Sequence, residues 1–291
     1  MAKTDISLAP GYLIHSNLHR RRRPGHRGGI SEMASMDYAC CVTQIPCRLR
    51  EFGRASLILL ALSLASEAAH AAGGAFAVDD VEVGKPGDCK VETWASFATN
   101  HDLTAVVSPA CVVNLGIPVE VGAAFSRGRS DSVWTTSGGP KAKVNIIPVE
   151  TGRLGVGLAG SAGWDFGNGQ YTGNLIYVPL TYQLREGFRI NLNGGWQYDA
   201  VNRLNYAYWG AGFEWNFVKP VTLIAEVFGF HGKLPAVDED EPPAPRAIRE
   251  PRSQVGLRFT PEENIDIDLI WGRNITGENA HWMTLGLNLR F

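Results

Sequence analysis

Residues 281–291 read HWMTLGLNLRF. Met283, Leu285, Leu287, Leu289 and Phe291 fall on one side of a two-residue period, with Thr284, Asn288 and Arg290 on the other. A β-strand points successive side chains to opposite faces, so this stretch is a strand with one apolar and one polar face. The same pattern recurs upstream. FRINLNGGW (188–196) sets Phe188, Ile190 and Leu192 against Arg189, Asn191 and Asn193. NIDIDLIWG (264–272) sets Ile265, Ile267, Leu269 and Trp271 against Asp266, Asp268 and Gly272. Beyond Asp88 no sustained 3.6-residue period interrupts this alternation. A final strand that carries an aromatic as its last residue is unusual for a soluble domain, whose ends fray.

Counting alternating stretches predicts strands near 89–100, 103–114, 118–129, 141–150, 153–165, 170–185, 188–199, 206–217, 221–230, 252–260, 264–275 and 281–291. Twelve is an even number, and most stretches reach the ~9 to 11 residues that cross a bilayer when tilted. The reading starts the fourth strand after SGGP and leaves Trp134 in a loop. Alternate connections are short (LGI, TG, EG, VKP, PEE), whereas SDSVWTTSGGP, AVNRLN and residues 231–251 are longer. Short turns on one side and long loops on the other characterise a closed outer-membrane barrel, and an even count puts both ends on the short-turn, periplasmic side. Aromatics gather in two bands. Trp164, Trp196, Tyr198, Tyr206, Trp209, Trp271 and Trp282 lie toward the loops, and Phe188, Trp215, Phe217, Phe259 and Phe291 toward the turns. The expected fold is all-β, a closed antiparallel transmembrane barrel of twelve strands.

The closing residues resemble the C-terminal signature of Gram-negative outer-membrane β-barrel proteins: a last strand with alternating outward apolar residues and a terminal Phe. The resemblance covers about 89–291 and identifies no subfamily. It implies that Phe291 is the assembly signal read by the barrel-assembly machinery, and that the last strand pairs with the first.

Upstream, ASLILLALSLA (55–65) follows Arg48, Arg50 and Arg54 and precedes Ala69 and Ala71 in an A-x-A-like site. That order marks a secretory signal over 36–71, with the mature chain starting near Ala72; a short core helix would not need the three parts in sequence. It is also too short to span a membrane as a helix. Residues 1–35, with HRRRRPGHRGG, read as an over-extended start or a disordered basic arm, and Met33 and Met36 would each be a more ordinary start. Residues 72–88 are left as a periplasmic N-terminal segment before the barrel at 89–291. Residues 1–71 hold 9 of the 27 basic and 5 of the 29 acidic residues, so the remainder carries 18 and 24, a net charge of about −6. That balance argues against a nucleic-acid partner.

Three cysteines (Cys40, Cys41, Cys47) fall within the signal. Cys89 and Cys111 remain, placed symmetrically about the turn NHD and therefore across from one another on the first hairpin. In an exported chain they are expected to form a structural disulfide rather than a redox pair. No C-x-x-C and no metal-ligand spacing occurs beyond residue 71, so no metal or cofactor is expected.

The polar faces supply a lumen. Turn symmetry about TPEEN sets Asp266 opposite Arg258, and symmetry about TGENA sets it opposite Arg290. The resulting Arg258–Asp266–Arg290 row reads as a register lock or as part of a charged constriction. Glu92, Glu120, Lys143, Arg153, Arg189, Glu214, Glu226 and Asp268 are the other inward candidates. Eight strands leave an interior filled by side chains and sixteen leave an aqueous channel, so twelve permit a narrow pore without requiring one.

The acidic run at 238–241, beside prolines, reads as a solvated surface loop; a cation-attracting patch or an inward plug are the alternatives. Outer-membrane phospholipases use twelve strands too, but no G-x-S-x-G occurs and nothing places a serine beside His231 or His281. An autotransporter would need a passenger that 72–88 is too short to supply. The expected role is therefore a narrow pore for passive passage of small solutes, in contact with outer-membrane lipid and lipopolysaccharide. A plugged structural or adhesion-type barrel is the first alternative and a lipid-modifying enzyme the second. A lipid face and a contact face between copies read alike in sequence, which leaves the oligomeric state open.

Overall fold

The computed structural model describes residues 75–130, 132–232, 247–276 and 280–291, except for the side chains of 247–250. The basic arm, the export signal, the acidic run at 238–241 and residues 277–279 of the TGENA turn lie outside the described residues.

The described residues form twelve strands: β1 Cys89–Ala98, β2 Leu103–Asn114, β3 Pro118–Ser130, β4 Val133–Ile147, β5 Leu154–Asp165, β6 Gln170–Arg185, β7 Phe188–Asp199, β8 Leu204–Val218, β9 Val221–Gly232, β10 Ala247–Glu262, β11 Ile265–Asn274 and β12 His281–Arg290. Each pairs antiparallel with its chain neighbours, and β1 pairs with β12, so the sheet closes as the alternation predicts. Closure extends to the last residue, where Cys89 and Phe291 exchange backbone hydrogen bonds of 2.8 and 2.9 Å.

Two strands start earlier than the turn residues suggest. SDSVWTTSGGP is largely wall, because β4 begins at Val133 and Trp134 pairs with Arg129 while Thr136 pairs with Arg127. Val, Trp and Thr suit a pleated surface, and they carry the hairpin onward despite the following Gly138 and Gly139. β10 likewise begins at Ala247, taking residues 247–251 out of the predicted loop.

The pleat sorts the side chains as the sequence pattern requires. On β12, Met283, Leu285, Leu287 and Leu289 are exposed outward, while Trp282, Thr284, Gly286 and Asn288 are buried inward. On β11, Asp266, Asp268 and Ile270 face in, and Ile267, Leu269 and Trp271 face out. A closed barrel with an apolar exterior and a polar interior is the arrangement a bilayer demands, because no backbone group is left unpaired in hydrocarbon. The aromatic bands need one correction. Trp164, Trp196 and Trp271 are outward and exposed, but Tyr206 and Trp282 are 1% and 3% exposed and point into the lumen. At the turn end Trp215, Phe217, Phe259 and Phe291 are all outward and exposed.

Cys89 pairs directly with Cys111 across the β1–β2 hairpin, and the two are joined by a disulfide. Cys111 is exposed, so the bond lies on the outer face at the turn-side rim.

Candidate functional site

The interior is occupied by the chain itself. Residues 75–82, AFAVDDVE, form an irregular strap that crosses the lumen before the chain enters β1. Ala75 approaches Gly286 on β12, and Phe76 packs with Ile224 and Ile270. Ala77 and Val78 cluster with Phe228 and Trp282, and Val81 meets Gly155 on β5. The placement of 72–88 in the periplasm is corrected for this stretch. Its physical reason is polar satisfaction, since the strap's backbone and carboxylates find partners in the wall.

Glu226 on β9 accepts hydrogen bonds from the Ala77 and Val78 amides at 2.9 and 3.2 Å. Asn193 on β7 accepts from the Asp79 amide and donates to the Asp79 carbonyl, both at 2.7 Å. Thr181 on β6 accepts from the Val81 amide at 3.1 Å, and the Tyr208 hydroxyl donates to the Ala77 carbonyl at 2.7 Å. Tyr177 donates to the Asp79 carboxylate at 2.8 Å.

Charge is matched as closely. Lys143 lies 3.0 Å from Asp79 and 3.2 Å from Asp80. Arg189 reaches Asp80 at 3.1 Å, Glu82 at 2.9 Å and Glu214 at 3.0 Å. A buried ion stripped of its partner is strongly disfavoured, so each of these groups holds the others in place. Room for the strap comes from small residues. A Cβ on Gly210 would lie 2.9 Å from Val78, and one on Gly256 would lie 3.1 Å from Phe76.

A second ionic ladder runs along the β1–β4 wall, where Lys90 bridges Glu92 and Glu120 at 3.1 Å each and Lys141 reaches Glu92 at 3.1 Å. Two cavities flank it. One, of about 110 Å³, is bordered by Asp79, Trp94, Lys141 and Tyr177. The other, of about 320 Å³, opens among Asp80, Asp88, Arg258, Arg290 and Phe291 at the turn end. Both share Lys90, Glu92, Glu120 and Lys143, so this ladder stands between them.

The inward candidates fall as follows. Glu120, Lys143, Arg189, Glu214 and Glu226 lie on inward, buried positions in the two ladders or under the strap. Arg153 does not. It lies in the β4–β5 turn, mostly exposed and 2.8 Å from Glu150, because the strand starts one residue later at Leu154. The closing row is shifted as well. Arg258 pairs with Asp268, forming a two-pronged contact at 2.7 and 2.9 Å, and Asp266 pairs across with Asn288. The β10–β11 turn falls at Glu263 and Asn264 rather than around residue 262, and a bulge between Phe259 and Glu262 adds one residue to β10, so the β10–β11 register is displaced by two from the expected one. Asp266 still joins both cations, ion-pairing with Arg290 and lying 3.9 Å from Arg258. His281 stacks on Trp271 at 5.5 Å, and His231 is exposed.

Sequence reasoning missed the strap, Lys90 and Lys141. A signal was present: Gly210, Gly256 and Gly286 occupy inward positions on three strands, which is what a second chain approaching the wall requires.

A family model described as "Uncharacterised conserved protein UCP029691" matches residues 60–291. No curated protein matches the chain. Among solved structures, the COG4313 outer membrane channel from Pseudomonas putida F1 is 12% identical with a TM-score of 0.52, covering 73% of this chain and 98% of that one. The NanC porin is 8% identical with a TM-score of 0.52, covering 68% and 98%. The KdgM porin, solved with disordered oligogalacturonate, is 10% identical with a TM-score of 0.50, covering 69% and 99%. At these identities the likeness is one of fold.

Proposed function

The chain belongs to the family described as Uncharacterised conserved protein UCP029691, and on that premise we propose that it is an outer-membrane channel for small solutes, narrowed by its own N-terminal strap. It is exported by the signal over 36–71 and assembled through the C-terminal signature ending at Phe291. Solutes pass along the β1–β4 wall, beside the strap, and the Lys90–Glu92–Glu120–Lys141 ladder sets which ions pass.

The observation that carries this reading is the pair of cavities abutting that ladder. The barrel's fold likeness to a channel and two porins agrees with it. No catalytic role is assigned: His281 occupies an aromatic-girdle position on the outer face, where stacking on Trp271 accounts for it.

The test is single-channel conductance in a planar bilayer, using folded protein identified by its heat-dependent gel mobility. Small, reproducible steps are expected. Replacing Lys90 and Lys141 by Gln should shift selectivity toward cations, because positive charge is removed from the path. Silence from folded protein would sink the channel.

A plugged structural barrel is the second reading, favoured by the strap's anchoring on Glu226, Asn193, Lys143 and Arg189. It requires that conductance appear only when 75–82 are deleted.

A further inference from the structure

The outer face of the β3–β4 hairpin carries an unusual group. Beyond the apolar positions Val121 and Phe125, β3 points Arg127 and Arg129 outward on alternate residues. Both guanidinium groups lie over the ring of Trp134 on β4, at 5.1 and 5.7 Å from its centroid, and Trp134 is 47% exposed. A basic residue at the midplane of the lipid face costs about 2 to 4 kcal/mol, and near the interface almost nothing. Two arginines past the last apolar residue on the loop side therefore sit at the depth of the outer headgroups.

Neither guanidinium has a carboxylate partner among the described residues. Cross-strand neighbours are Ala105 and Thr136 for Arg127, and Leu103 and Trp134 for Arg129. Arg127 donates to the Thr136 hydroxyl, and Arg129 donates to the His101 carbonyl at 3.0 Å. Each guanidinium has five N–H donors, so most remain available. Both guanidinium groups gather at one indole, which suits a phosphate that accepts from two forks.

We propose that Arg127, Arg129 and Trp134 form a binding site for the phosphate of an outer-leaflet glycolipid, with the acyl chains lying over Phe125 and Phe166. Phe125, two residues before Arg127 on the same face, and Phe166, whose amide donates to the Thr136 carbonyl, lie 6.4 Å apart between ring centroids and extend the apolar surface beside the arginines. This continuity of apolar face and positive charge that has no carboxylate partner among the described residues matches an amphiphilic anion better than a soluble one. The proposal rests on placing the barrel in the outer membrane, but not on its being a channel, and its test needs no conductance.

The experiment titrates the full folded protein, in a zwitterionic detergent, with diphosphorylated lipid A and with the same lipid stripped of phosphate. Native mass spectrometry reads the bound fraction, and the heat-shift gel verifies folding of every variant. The expected result is that R127Q/R129Q binds diphosphorylated lipid A about tenfold or more weakly, since charge-assisted hydrogen bonds to the phosphate are lost. R127K/R129K should fall between it and the parent, and Arg153→Gln, at the opposite rim, should match the parent. Equal binding by R127Q/R129Q overturns the site. Competition by inorganic phosphate as effective as by lipid A overturns the lipid assignment in favour of a free-anion site. Loss of a stable oligomer in R127Q/R129Q overturns it in favour of a contact between copies.

Discussion

Arg189 ties three of the interior carboxylates together. It joins Asp80 and Glu82 of the strap to Glu214 of the wall, and it is itself 5% exposed. Replacing it by Ala leaves buried carboxylates without their cation, a change that costs about 3 to 5 kcal/mol. We therefore expect Arg189→Ala to lower the denaturant midpoint of the folded band clearly. Asp80→Asn should be milder, because Arg189 retains Glu82 and Glu214. A gel-shift titration in which the two variants lose equal stability would contradict the hub role. At this scale the sequence was partly legible. Cys89 and Cys111 could be paired because a tight turn separates their strands symmetrically. Arg258 and Asp268 could not, because β10 runs on to Glu262 and the turn falls at Glu263 and Asn264, later than the symmetry of TPEEN suggests.

Among the elements, the strands were readable and the strap was not. Strands announce themselves through a two-residue period that each segment carries within itself. AFAVDDVE has no period, and its partners lie 64 residues away at Lys143 and 149 away at Glu226. Its fold is decided by distant wall positions rather than by its own pattern. The inward glycines make that dependence testable. Gly210→Val sets a branched side chain where the first carbon would already lie 2.9 Å from Val78. Such overpacking typically costs about 1 to 3 kcal/mol, which displacing the strap relieves more readily than breaking the sheet. Amides of 77–81 should then exchange hydrogen faster and conductance should rise, while heat-dependent mobility stays intact. Unchanged exchange at those amides would show that the strap accommodates the valine.

For the whole molecule, closure rests on the β1–β12 seam and on the hairpin that supports it. The disulfide spans a sequence separation of 22 residues, and a loop of that order contributes about 3 kcal/mol by restricting the unfolded chain. Replacing both cysteines by Ser should lower the temperature at which the compact gel band is lost, without altering conductance. A change in channel behaviour instead would tie the bond to the lumen, which its outward position argues against. The strap also sets an order of events. It precedes all twelve strands of the barrel, yet its partners lie on β4, β6, β7, β8 and β9, and Ala75 meets β12. Until Phe291 exchanges its hydrogen bonds with Cys89, no enclosure exists to receive it. The earliest of these residues to be synthesised thus take their partners from strands made long after them, and the enclosure around them is complete only where the last strand meets the first.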